Sequence, residues 1–170
     1  MNICFLGGQM AGMIGVLAAM SEGVNVVTSV AYSEDVESLL KDKDVPVYRS
    51  VKDEVFLNSL NDIDLILSVH CREIVGEGIL SRAKCGGINV HPYLYKYKGA
   101  DPVGRAIKEG EFNASVGVHR MTDIVDGGEV LFEDYLDVTG ARTPQEVYAK
   151  LYPFYAMSVL KAIRMVENEV

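Results

Sequence analysis

Short apolar runs alternate with amphipathic stretches from residue 2 to residue 91, and this rhythm constrains the fold more than anything else in the chain. The clearest run is Asp64-Leu65-Ile66-Leu67-Ser68-Val69. An apolar run this short, bounded by turn signals, reads as a strand buried on both faces. Asn2-Ile3-Cys4-Phe5-Leu6, stopped by Gly7-Gly8, reads the same way, and residues 24–30 are rich in β-branched side chains. Val45-Pro46-Val47-Tyr48 is expected at a sheet edge, because proline removes a ladder donor. Further strands are expected at 87–91, 115–121 and 129–136. Helices are expected at 10–21, 34–42, 52–60, 73–82 and 101–109. Thr143-Pro144-Gln145-Glu146 carries the residues that open a helix. After it, Val147, Leu151, Tyr155, Val159, Ile163 and Val166 recur at three- and four-residue spacing. That stripe packs a last helix on the sheet; a helix that binds a partner is the other reading. The class implied is α/β: a doubly wound, mostly parallel sheet with helices on both faces. With 170 residues, the chain suits one domain, 1–170.

Composition narrows the function. Hydrophobic residues make up 49% and charged residues 24%, which argues against disorder. The net charge of −8 repels phosphate backbones, and the nearest thing to a basic cluster is Lys96, Lys98 and Arg105. Nucleic acid is therefore not an expected partner. Residues 1–20 read as strand, turn and helix, not as a signal peptide, and no apolar stretch reaches membrane-spanning length. Cys4, Cys71 and Cys85 are odd in number without paired spacing, which fits a reducing cytoplasm. His70, Cys71, Cys85, His91 and His119 lack close ligand pairs beyond the adjacent His70-Cys71, so no metal is expected.

The chemistry lies in Asn89-Val90-His91-Pro92 and Asp126-Gly127-Gly128. On a strand, Asn89 and His91 point to the same face. A carboxylate follows in a turn 35 residues on (126 − 91). An amide donor, an imidazole and a carboxylate together can polarise a carbonyl and manage protons on a nucleophile. Each residue alone would more often be structural.

The ordered set of Ile88-Asn89-Val90-His91-Pro92, Tyr97-Lys98-Gly99-Ala100-Asp101-Pro102, Gly117-Val118-His119-Arg120-Met121-Thr122 and Val125-Asp126-Gly127-Gly128-Glu129-Val130-Leu131 resembles the catalytic core of the folate-dependent formyltransferases. The match is strongest over residues 64–132. The resemblance implies a Rossmann-like formyltransferase fold. It also implies transfer of a formyl group from 10-formyltetrahydrofolate, as co-substrate, to a primary amine, with Asn89, His91 and Asp126 catalytic. Asn89 would donate to the oxygen that gains charge, a contribution of roughly 3 kcal/mol for one such donor. His91 would share that charge and protonate the leaving nitrogen, and Asp126 would orient His91 and accept the amine's proton.

The same resemblance places His70, Cys71 and Arg72, with Met121, Thr122 and Asp123, around the folate. Gly8, Gln9 and Met10, with Tyr93, Tyr95 and Lys98, are expected on the acceptor side. Glycinamide ribonucleotide formyltransferases carry a small polar phosphate loop where this chain has Gln9 and Met10, so a ribonucleotide acceptor fits poorly. The family's Ser-Leu-Leu-Pro after His-Pro is here Tyr93-Leu94-Tyr95-Lys96, whose tyrosines either stack on a ligand or cover the sheet end. His119 is expected to serve structure. The expected acceptor is a small or nucleotide-linked, amino-sugar-like amine. Methionyl-tRNA is disfavoured because the tRNA enzymes carry a further C-terminal domain. A formyltetrahydrofolate hydrolase and a non-catalytic folate- or nucleotide-binding module remain the alternatives, and a homodimer is left open.

Overall fold

The computed structural model describes residues 1–169. Its elements run β1 (Asn2–Gly7), α1 (Gln9–Ser21), β2 (Asn25–Ala31), α2 (Glu34–Asp42), β3 (Val47–Tyr48), α3 (Glu54–Ser59), β4 (Leu65–Val69), α4 (Glu77–Leu80), β5 (Gly87–Pro92), α5 (Pro102–Glu109), β6 (Asn113–Arg120), β7 (Val130–Asp137) and α6 (Pro144–Glu167). One sheet holds all seven strands in the order β3-β2-β1-β4-β5-β6-β7. The first five are parallel, and β6 and β7 close the far side as antiparallel strands. The sequence-based class, α/β and mostly parallel, matches this architecture. The proline-bearing run lies at an edge as expected, with β3 pairing only to Ser29 and Val30 of β2.

Period-two alternation sorts the strands onto two layers. Ile3 and Phe5 of β1, Leu65, Leu67 and Val69 of β4, Ile88 and Val90 of β5, and Val116 and Val118 of β6 pack against α1 and α6. Val147, Leu151, Tyr155, Val159, Ile163 and Val166 all lie in that core, so the helical stripe packs on the sheet. Cys4, Leu6 and Ile66 face the other way, into a smaller core with Phe56, Leu60, Val75 and Leu80. On that second face, toward β5 and β6, the intervening positions are polar or small: Ser68, Asn89, His91, Ser115, Gly117 and His119.

One helix is much shorter than its sequence pattern. The span 73–82 was expected to be helical, but only Glu77–Leu80 is. Gly76 caps it, and Glu73 is pulled elsewhere. Its carboxylate accepts from Tyr32 Oη (2.8 Å), Ser50 Oγ (2.7 Å) and the Val51 N–H (3.0 Å). Those tertiary bonds outweigh local helix propensity and leave residues 70–76 as an irregular wall.

β6 runs opposite to β5, so the loop after it starts beside the beginning of β5, where the Met121 N–H donates to Gly87 O (2.8 Å). The loop then folds back across the second sheet face before Glu129 O accepts from the Arg120 N–H (2.8 Å). Gly128 makes this closure possible, because a Cβ there would run into the Arg120 carbonyl. Gly128→Ala is therefore expected to shift the loop that carries Asp126. If Asp126 acts in catalysis as the sequence leads one to expect, a displacement of about 1 Å costs on the order of 100-fold in rate. Turnover should fall by at least tenfold, with a melting temperature lowered by only a few degrees; steady-state kinetics and thermal melts check it.

Candidate active site

The folded-back loop delivers Asp126 to the polar face of β5 and β6. Asp126 sits in the left-handed region (φ 48°), which aspartate tolerates better than most residues. Its carboxylate is 9% exposed and meets four groups. Oδ2 lies 3.0 Å from His91 Nε2 and accepts from the Gly99 N–H at 2.6 Å. Oδ1 lies 3.2 Å from His119 Nε2 and accepts from Asn89 Nδ2 at 3.4 Å. Burial alone would raise this carboxyl group. The hydrogen bonds from His119 and His91, the charge of His91 and the Gly99 N–H outweigh it and hold Asp126 ionised, far below the usual carboxylate range.

His91 is set by its backbone neighbours. Nδ1 faces the Pro92 carbonyl at 2.7 Å, and Nε2 faces Asp126 and, at 3.2 Å, the Gly99 carbonyl. Both nitrogens face oxygens that can only accept, so the ring is placed to hold and give a proton. Asn89 is fixed from the opposite side. Ser68, in register with it on β4, donates from Oγ to Asn89 Oδ1 at 2.7 Å. This turns the amide nitrogen toward Asp126 and His119, whose Nε2 is 3.2 Å away.

A cavity of about 700 Å³ opens on this cluster. Of the expected site residues, Asn89, His91, Asp126, Gln9, His70, Cys71, Arg72, Met121 and Thr122 line it. Gly8, Met10, Lys98 and Asp123 do not line it. Tyr93 corrects an expectation, since it is fully buried, donates to the Glu111 carbonyl and packs on Tyr97. Tyr95 points away, its hydroxyl on the Asn113 carbonyl. The tyrosine run therefore covers the sheet end, and none of Tyr93, Tyr95 and Tyr97 lines the cavity. Two contributors were missed from sequence. His119, expected to be purely structural, touches both Asn89 and Asp126. Ser68 looked like one small residue in an apolar strand. Alternation was the available signal: Ser115-Val116-Gly117-Val118-His119 puts His119 on the face opposite the valines, and the β5–β6 register pairs it with Asn89.

The cavity has two ends of different character. Ile74, Val75, Met121, Ile124 and Val125 make one apolar. Gln9, His70, Asp101 and Tyr148 make the other polar. His70 is a partly buried imidazole whose Nε2 lies 2.9 Å from the Tyr155 hydroxyl. Burial first, then the charges of His91 and Arg72, lowers its pKa to about 4.

A family model described as Formyl transferase matches residues 8–162. The chain belongs to the formyl transferase family. It is 28% identical over 157 residues to methionyl-tRNA formyltransferase of Rickettsia rickettsii (strain Iowa), a match covering 89% of this chain and 50% of that protein. The chain thus spans about half the length of the curated relatives it matches. Among solved structures, phosphoribosylglycinamide formyltransferase from Anaplasma phagocytophilum superposes with a TM-score of 0.82 at 15% identity, covering 98% of this chain and 87% of that one. A formyltetrahydrofolate deformylase from Pseudomonas syringae pv. tomato str. DC3000 gives 0.80 at 16% identity, covering 98% and 61%. These two likenesses establish a shared fold. The matched span contains the whole Asn89–His91–His119–Asp126 cluster.

Two outcomes follow from the site's contacts. Ser68→Ala should free the Asn89 carboxamide to rotate, lowering kcat by about fivefold, as loss of one hydrogen bond of about 1 kcal/mol allows. The same change in an Asn89→Ala background should have no further effect, which a double-mutant cycle measures. The second concerns pH. An unfolded His70 takes up a proton near pH 6.5, the folded one only near 4, so stability present above 6.5 is lost as pH falls between those values. A shift of this size corresponds to about 3 kcal/mol. His70→Asn should flatten that part of the curve in denaturant titrations. The loss below about pH 4, where unfolded carboxylates protonate and Asp126 does not, should remain.

Proposed function

We propose that this formyl transferase moves the formyl group of 10-formyltetrahydrofolate to the primary amine of a small or nucleotide-linked, amino-sugar-like acceptor. The observation that carries the reading is the convergence of Asn89, His91 and Asp126 on one carboxylate-centred cluster beside a cavity with one apolar and one polar end. The apolar end, with Met121, Ile124 and Val125, suits a flat heteroaromatic ring, and Arg72 offers a cation to a carboxylate tail. The folate supplies the activated formyl group. Asn89 Nδ2 and His91 are the donors that this cluster offers to that group's oxygen as it gains charge. The Asp126–His91 pair accepts the proton that an attacking amine must lose and passes it to the departing nitrogen, with the ionised Asp126 stabilising the positive charge in between. The net charge of −8 favours a small acceptor over tRNA. Three free cysteines fit work in a reducing cytoplasm.

The test supplies 10-formyltetrahydrofolate with a panel of small amines and follows tetrahydrofolate and formate. Release should depend on the amine; formate appearing at the same rate without amine would make the protein a hydrolase instead. Asn89→Ala and His91→Ala should each lower kcat by about 100-fold or more with little change in folate KM. Asp126→Asn should cost most at neutral pH and less at high pH, where free amine is plentiful. An equal loss at every pH would assign Asp126 a purely structural part.

A further inference from the structure

We propose that Gln9 and His70, the latter expected from sequence beside the folate, form the acceptor-recognition wall of this site, and that the acceptor presents hydroxyl or amide groups to that wall in place of a phosphate. The inference rests on the formyl-transfer reading and specifies its acceptor.

Two non-glycine residues with left-handed backbone meet at the ends of neighbouring strands. Gln9 (φ 60°) follows β1, and His70 (φ 59°) follows β4. Such conformations are unfavourable for side-chain-bearing residues and persist where the surroundings impose them. Here they aim the two side chains at each other, with His70 Nδ1 3.2 Å from Gln9 Oε1. The other ring nitrogen is occupied by Tyr155, whose side chain is fully buried in the main core. Tyr148 packs edge-on against the same imidazole, 5.4 Å between ring centroids. His70 is thus a pillar clamped between the core and Gln9. Either tautomer leaves one end of the Gln9 carboxamide for the cavity, and either end is uncharged.

The rest of this wall has the same chemistry. Tyr148 adds a phenol, and Asp101 adds a carboxylate, one oxygen of which accepts from the Gly104 N–H at 3.2 Å. The first N–H of α1 is spent within the protein, on Ser33 Oγ at 2.8 Å. A neutral amide, a phenol and a carboxylate can exchange hydrogen bonds with hydroxyls and amides. A phosphate dianion would find no cationic side chain on this wall and would be repelled by the Asp101 carboxylate, against which the remaining N–H groups of the α1 N-terminus set only a partial charge. Arg72 is the cation lining the cavity among the described residues, and it belongs to the 71–75 segment that continues to Ile74 and Val75 at the apolar end.

Matched acceptor pairs differing by one phosphate test the assignment: glucosamine and glucosamine 6-phosphate, ethanolamine and O-phosphoethanolamine, glycinamide riboside and glycinamide ribonucleotide. Tetrahydrofolate release is followed for the parent, Gln9→Arg, His70→Asn and Arg72→Ala. Asparagine is chosen at position 70 because it tolerates the left-handed region. In the pairs that turn over, the phosphate-free member should have a kcat/KM at least tenfold higher. Gln9→Arg should shrink or invert that ratio. His70→Asn should raise acceptor KM at least fivefold with folate KM unchanged, and Arg72→Ala should do the reverse. A parent that prefers the phosphorylated members overturns the proposal, as do Gln9 and His70 variants that shift folate KM alone. Activity with no amine at all removes the formyl-transfer reading itself, and this wall assignment with it.

Discussion

Everything at this site turns on keeping one carboxylate charged out of water. An ionised side chain in a 9%-exposed position is costly unless every oxygen is well paired. Asp126 meets that demand with two imidazoles, one amide and one backbone N–H. Those four groups come from β5, β6 and the 93–101 loop. Four separate pieces of chain are therefore locked to one another, because removing any partner leaves charge unpaired. The electrostatic cost of the carboxylate and the geometry of the site are the same constraint.

The reversal of strand direction at β6 makes the arrangement possible. Antiparallel pairing sets His119 directly across from Asn89, and starts the next loop low on β5. That loop must then climb the sheet face, which brings Asp126 to Asn89 and His91. A parallel β6 would begin beside the start of β5 and carry its following loop past the far end. The polar stripe of Ser68, Asn89, His91 and His119 would then face a helix, as the equivalent positions of β1 face the smaller core. The same stripe stays open because residues 70–76 are diverted by the bonds to Glu73 and do not form a covering helix.

How much of this was readable from sequence depends on range. The strands, most helices and the edge position of β3 follow from local apolar patterning, which needs no tertiary knowledge. Asn89 and His91 share a face by period two alone, and Asp126 stood out through the turn that follows it. The stunted α4 was not readable, since its cause is a set of bonds from Tyr32, Ser50 and Val51. Ser68 was hidden because a serine inside an apolar strand gives no sign of its partner; the bond to Asn89 depends on the β4–β5 register. Tyr93 misled because alternation suggested a stacking row, whereas its left-handed backbone (φ 52°) turns the ring into the core.

Backbone strain is distributed in the same pattern. Among the described residues, seven non-glycine residues have positive φ, and Gln9, His70, Asp101 and Asp126 of these line the cavity. Each costs on the order of 1 kcal/mol or more, in a chain whose net stability is of the order of 5–15 kcal/mol. Random placement would not gather four at one cavity. For Gln9 and His70 the cause is geometric, since a strand leaving the sheet must turn sharply if its next side chain is to look back over the strand ends; Asp101 caps α5, and Asp126 turns within the loop after β6. Glycine would make those turns with less strain but would supply no functional group. At positions 9, 70, 101 and 126 the chain keeps the carboxamide, the imidazole and the two carboxylates, and the surrounding hydrogen bonds hold the unfavourable backbone. The partly buried imidazole of His70 adds a second cost at acid pH. Stability is thus given up twice at the polar end of the cavity, which is where selectivity for the acceptor would have to be built.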